Sequence, residues 1–374
     1  MSLEPCVYTV EADQVEYAAD CGTLVVPENR NNPDSRLIAL PVTRIHATGN
    51  SPAEPIFWLE GGPGHGNIFP YPADGLFENH DFVIVGYRGV EGQVILECPE
   101  ISEAISQAAG GPLDETSLDA YSAGLSRCGE RLTAEGIDLA GYTMVETIDD
   151  METARQVLGY DLINLYGNSY GTRLQMIYEW RYPTSLNRVV MVAVNPPGHF
   201  IWDPADTDDL VEEYSRLCAQ DAVCNTRTDD LAETMRQVSN NMPERWLFFP
   251  IDADAVRMLS YFMFVESIQP AEAPIPLYGP AAVDMWLSAA EGDASGMALA
   301  SMSRNLFLPT LFTWGHFAAM GASVNDYLDP SRDYPSELNP PNSIIGAPFS
   351  YFLWGAVRGW PSTLIDEEFF EVQP

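Results

Sequence analysis

The chain has 374 residues, 46% of them hydrophobic, enough to bury the core of a large globular domain. Its formal charge is −36, from 54 acidic and 18 basic residues, and no lysine occurs, so every basic side chain is an arginine. A surface this negative excludes nucleic acid and anionic membrane as partners; it favours cationic ligands such as a peptide's free amine, and it suits high salt, where self-repulsion is screened.

No apolar run reaches the ~18 residues of a transmembrane helix, so no membrane span is expected. Met1-Ser2-Leu3-Glu4-Pro5 has neither the basic nor the apolar region of a signal peptide. Six cysteines fall in three neighbouring pairs: Cys6 and Cys21, Cys98 and Cys128, Cys218 and Cys224. An even count suits three local disulfides, although six cysteines allow about fifteen connectivities. Disulfides persist outside the cytosol, so the expected location is the periplasm or the exterior. Six buried free thiols are the alternative. The cysteine spacing is not that of a zinc site and the histidines are scattered, so no metal and no cofactor is expected.

In chain order, residues 21–27 and 37–45 read as two opening strands joined by a polar turn over 28–34. Residues 55–59 read as a third strand, which runs into Glu60-Gly61-Gly62-Pro63-Gly64. A fourth, over 82–85, is followed by Gly86-Tyr87-Arg88-Gly89. Apolar positions recur at helical spacing over 118–132 and 149–158. Residues 162–166 form a short apolar run of the kind found in buried parallel strands.

Gly167-Asn168-Ser169-Tyr170-Gly171 follows at once, and 172–180 reads as a helix with Leu174, Ile177 and Tyr178 on one face. Strand, tight turn and helix around Gly-x-Ser-x-Gly are the context of a nucleophile elbow. Such a turn strains the serine and leaves no room for side chains beside it, hence the glycines. The alternative is an ordinary strand-to-helix turn that happens to contain serine. Acyl transfer generates an oxyanion, which needs preorganised donors. In this architecture one N–H comes from the residue after the nucleophile and one from the loop after the third strand, which makes Tyr170 and Gly62 the matching positions. By itself Gly-Gly-Pro-Gly is only a tight turn.

Residues 189–194 read as a buried strand after the elbow helix. Strands alternating with helices predict an α/β fold with a mainly parallel sheet covered by helices on both faces. The character changes after about Pro197. Residues 206–219, 229–242 and 252–268 read as helices, each starting near an aspartate able to cap it. Met258, Tyr261, Phe262 and Phe264 read as packing within this lid, and 269–276 as a linker. The chain thus divides into a core over 1–199, a helical lid insertion over 200–335, and a return to the core over 336–374, where 351–360 reads as helical.

Four segments together resemble one family: Cys21-Gly22-Thr23-Leu24-Val25-Val26-Pro27, Glu60-Gly61-Gly62-Pro63-Gly64, Gly86-Tyr87-Arg88-Gly89-Val90-Glu91-Gly92, and Leu165-Tyr166-Gly167-Asn168-Ser169-Tyr170-Gly171-Thr172-Arg173. With the cysteine spacing, they look like the secreted tripeptidyl aminopeptidases and their prolyl iminopeptidase relatives. These are serine peptidases of the α/β-hydrolase fold with a helical lid. The resemblance implies release of single residues or short peptides from free N-termini. Ser169 matches the nucleophile, and Gly62 and Tyr170 match the oxyanion hole. Glu60, Gly86 and Gln93 depart from the family's usual histidine, aspartate and serine. An exopeptidase must hold a substrate ammonium, and Glu212, Glu213 and Glu266 in the lid are candidates. An esterase on the same fold, or a binding protein without a working triad, are the alternatives.

A serine needs a base, and in this fold the order is Ser, then Asp or Glu, then His. Only His199 and His316 follow Ser169. His199 comes too early, and His316 falls in the helical insertion, with Asp326 or Asp329 as the groups able to orient it. The resemblance implies two further strands carrying acid and base. The expectation is therefore a C-terminally truncated hydrolase, nearly inactive alone, with an exposed hydrophobic sheet edge.

Overall fold

The computed structural model describes residues 1–10, 14–68, 75–108, 110–199, 201–266, 277–323, 327, 329–341 and 343–370. Seven strands form one sheet: β1 (Leu3–Thr9), β2 (Glu16–Pro27), β3 (Leu37–Ile45), β4 (Ala53–Leu59), β5 (His80–Val85), β6 (Ile163–Asn168) and β7 (Leu186–Val192). Their spatial order is β1-β2-β3-β5-β4-β6-β7. The run β5-β4-β6-β7 is parallel throughout. The opening strands pair antiparallel, as does β3 with β5. Phe57, Leu59, Val83 and Val85 on one face and Ile56, Trp58, Phe82 and Ile84 on the other are buried, as expected where both faces of a parallel sheet are covered.

The first strand was not legible in sequence. Glu4 and Pro5 interrupt its apolar pattern, and it is held instead by its full-length pairing with β2 and by the Cys6–Cys21 disulfide. Cys98–Cys128 and Cys218–Cys224 are also bonded, and no free cysteine remains. Thiol titration under denaturing, non-reducing conditions is accordingly expected to find almost no reactive sulfur. Six reactive thiols would contradict this pairing.

The core helices are α1 (Pro99–Gln107), α2 (Glu115–Ala134), α3 (Met144–Leu158) and α4 (Tyr170–Arg181). Helix α3 starts ahead of the 149–158 periodicity because Thr143 caps it: its hydroxyl accepts from Glu146 N–H at 3.3 Å, a Thr-x-x-Glu signature that the apolar spacing does not reveal. The insertion supplies α5 (Pro204–Gln220), α6 (Leu231–Asn240), α7 (Ala253–Val265), α8 (Gly279–Ala290), α9 (Ser295–Phe307), α10 (Trp314–Ala322) and α11 (Tyr334–Leu338). Asp203, Asp230 and Asp252 cap α5, α6 and α7 through their carboxylates, which agrees with the aspartate signals. The linker read over 269–276 lies outside the described residues.

Helix α10 behaves as core rather than lid. All its residues are buried, and Gly315 N–H donates to Leu96 O at 3.0 Å. The final helix, α12 (Pro348–Val357), packs on α2: a β-carbon on Gly355 would lie 2.6 Å from Leu118 Cδ2.

Arg88, from the Gly86–Gly89 segment, is fully buried. Its Nε and Nη2 each reach Asp150 at 2.7 Å, and Nη1 donates to Glu28 O at 2.7 Å and faces Glu146 at 3.2 Å. Arg30 reaches the same two carboxylates from the surface side. This network ties the end of β2, the loop after β5 and α3 into one unit. At the other end of the sheet, β7 is an edge strand, with Val190 and Val192 exposed.

Candidate active site

Ser169 stands on the turn between β6 and α4 with φ 50° and ψ −117°, a region that residues with a β-carbon rarely adopt. The surroundings over-determine it. Its N–H donates to Val192 O at 2.9 Å, and its carbonyl accepts from Thr172 N at 2.9 Å and Thr172 Oγ1 at 2.7 Å. Gly171 is sterically required, and Gly167 leaves room for a packed side chain. A β-carbon on Gly171 would lie 2.1 Å from Leu59 O, and one on Gly167 would lie 2.8 Å from Gln175 Cδ. Ser169 itself is half-buried. Tyr170 opens α4, so its N–H has no intrahelical acceptor and faces the turn with the positive end of the helix dipole.

The loop after β4 closes over this turn. A β-carbon on Gly61 would lie 3.2 Å from Ser169 Cβ. Gly61 N–H is taken by Glu60 Oε1 at 2.6 Å, and Gly64 N–H by His316 Nδ1 at 2.9 Å. Gly62, at φ 123°, keeps an N–H that makes no hydrogen bond among the described residues. The Glu60 side chain thus secures its own loop.

Two residues that sequence reasoning missed brace this loop from below. Asn67 Oδ1 accepts from Glu60 N at 2.9 Å, while its Nδ2 donates to Trp58 O at 3.0 Å and Val85 O at 2.9 Å. Glu91 Oε2 accepts from Asn67 N and from Tyr87 N, both at 2.8 Å. Tyr87 Oη donates to Glu60 O at 3.0 Å. Nothing local marks Asn67, because its partners come from two strands. Glu91 follows Gly86-Tyr87-Arg88-Gly89-Val90, where its spacing shows no role.

The lid carboxylates do not converge here. Glu212, Glu213 and Glu266 are all exposed, and Glu213 pairs with Arg216 Nε at 2.8 Å, three residues along the same helix. His199 is exposed, and His316 is fully buried with its Nδ1 committed to Gly64. Asp329 accepts from Ser331 rather than orienting His316, and Asp326 lies outside the described residues. No hydrogen bond links Ser169 Oγ to an imidazole among the described residues. Cys98, Glu100 and Cys128 approach one another closely enough to suggest a metal group, but both sulfurs are in the disulfide and Glu100 accepts from Arg131 Nε at 2.6 Å.

A sheet whose β5-β4-β6-β7 run is parallel with β4 and β5 exchanged in order, a serine at positive φ on the following strand-to-helix turn, and a glycine loop against it make this chain an α/β hydrolase in fold. In sequence it is similar to the tripeptidyl aminopeptidase of Streptomyces lividans, with 28% identity over 249 residues, covering 61% of this chain and 44% of that protein. A serine protease of Mycobacterium tuberculosis is 25% identical over 251 residues, covering 60% of this chain and 46% of its own length. The chain thus spans less than half the length of these curated relatives. Among solved structures, a thermophilic esterase from Thermogutta terrifontis aligns over 92% of this chain and 88% of its own at 14% identity and a TM-score of 0.32. No family model matches the chain.

Proposed function

We propose that the protein is a serine hydrolase that acts as an exopeptidase on free N-termini, through an acyl-enzyme on Ser169. The observation that carries the reading is Ser169 at φ 50° between β6 and α4, beside a glycine loop whose Gly62 N–H is free. Ser169 Oγ attacks the scissile carbonyl, and Gly62 N–H and Tyr170 N–H hold the oxyanion. The leaving amine departs protonated, and water then hydrolyses the acyl-serine. The proton leaves Ser169 Oγ as the acyl bond forms and ends on the leaving amine. The named peptidases among the relatives support a peptide substrate. The three disulfides and the charge of −36 support a site of action outside the cytosol and attraction of a cationic N-terminus.

An esterase on the same fold is the second reading, favoured by the exposure of all three lid carboxylates. One experiment separates the two. The protein is treated with a serine-directed fluorophosphonate and assayed on aminoacyl, prolyl and tripeptidyl anilides, on their N-blocked forms, and on short esters. In the full-length protein the expected result is a label on Ser169 that is absent from Ser169→Ala, with turnover of free-amine substrates only. Equal labelling of the variant would remove Ser169 from the mechanism. Ester turnover with no preference for a free amine would leave the esterase.

A further inference from the structure

Gly64 is held from both sides by one stretch of the helical insertion. Its N–H donates to His316 Nδ1 at 2.9 Å, and its carbonyl accepts from Thr313 N at 2.9 Å. A β-carbon on Gly64 would lie 2.8 Å from Phe312 Cβ, so the two segments meet where only glycine fits. Next to it, His65 Nε2 bonds Leu311 O at 2.9 Å, and the His65 ring lies 5.1 Å from that of Phe312. The segment is itself anchored to the core through Gly315 N–H and Leu96 O. Gly64 is two residues from the free amide of Gly62.

From these contacts we infer that residues 311–316 form a strut that sets the shape of the oxyanion loop, with His316 as its positioning residue through an unprotonated Nδ1. The inference rests on the reading of Ser169 as nucleophile and Gly62 as oxyanion donor, and gives His316 a role other than that of base. An imidazole that accepts at Nδ1 carries its proton on Nε2, and Nε2 is buried without a partner. The groups facing the ring are Tyr87, stacked at 6.2 Å, Tyr170, edge-on at 6.5 Å, and His65. No carboxylate ion-pairs with it among the described residues. Burial, with a smaller contribution from His65, pulls its pKa down to about 3, so the ring stays neutral and able to accept wherever the fold survives. The unfolded chain binds that proton more readily. The residue's share of stability is therefore present above its ordinary value of 6.5 and is lost as pH falls toward about 3.

The test pairs two substitutions with a measurement that does not depend on turnover. In His316→Asn the amide oxygen sits near the place of Nδ1 and still accepts. In His316→Leu nothing does. The expected result is a kcat lowered about 10- to 100-fold in His316→Leu at nearly constant KM, with His316→Asn within a few-fold of the parent. An unchanged kcat in His316→Leu overturns the inference. So does a His316→Asn variant as inactive as Ser169→Ala, which would make the ring the base. The second measurement is long-range ¹H–¹⁵N correlation on the unmodified protein over about pH 4–8. A constant tautomer with bare Nδ1 supports the strut, and titration near the ordinary histidine value overturns it. If the protein shows no Ser169-dependent turnover, the proposed function fails, and the tautomer measurement still decides the state of His316.

Discussion

Arg88→Met is expected to destabilise the protein by about 3–5 kcal/mol, read as a lower midpoint in urea denaturation. The magnitude comes from what the substitution leaves behind. Asp150 and Glu146 are both buried, and Arg88 presents Nε and Nη2 to Asp150 at 2.7 Å each. Removing the guanidinium leaves two carboxylates with only Arg30, from the surface side, to balance them. The backbone oxygens of Glu28 and Gly141 lose their donor in the same step. Arg88→Lys is expected to recover only part of the loss, because an ammonium has no planar fork to meet Asp150 twice. A loss below about 1 kcal/mol for Arg88→Met would mean that the network contributes no more than a surface ion pair.

Gly171→Ala is expected to abolish fluorophosphonate labelling of Ser169. A single methyl there would sit 2.1 Å from the Leu59 oxygen, and both the glycine and its neighbour are backbone atoms of packed elements. The helix start must move away from β4, and the strained turn relaxes with it. Overpacking of this kind costs about 1–3 kcal/mol and sometimes more. Gly292→Ala is the control: its φ is 100°, and nothing lies within 4 Å of its added carbon. It is expected to cost little beyond backbone strain and to leave labelling intact. Labelling of Gly171→Ala at the parent rate would show that the elbow tolerates a displaced helix.

Gly167 and Gly171 illustrate why part of the site was legible in sequence. An elbow is local: five consecutive residues set its geometry, and a strand and a helix on either side confirm it. The same holds for the aspartate caps of α5, α6 and α7. The bracing of the oxyanion loop is not local. Asn67 gains its role from Trp58 and Val85 on two neighbouring strands, and His316 from a glycine 252 residues earlier. Sequence spacing places His316 in an apolar helix and carries no sign of the amide it accepts from. The lid glutamates show a different limit. Composition gives the sign of a charge but not its direction, although Arg216 three residues after Glu213 was already a visible partner.

The contact between Gly64 and residues 311–316 bears on how such an enzyme can be altered. In many enzymes of this kind the lid is the natural place to exchange segments when a new substrate preference is wanted, because it stands apart from the catalytic loops. Here the exchangeable piece ends before Leu311. A graft that replaces α5 through α9 and keeps Leu311-Phe312-Thr313-Trp314-Gly315-His316 leaves the loop's two bonds to Gly64 in place. A graft that runs on through α10 removes them, so a swap made for selectivity would alter rate as well.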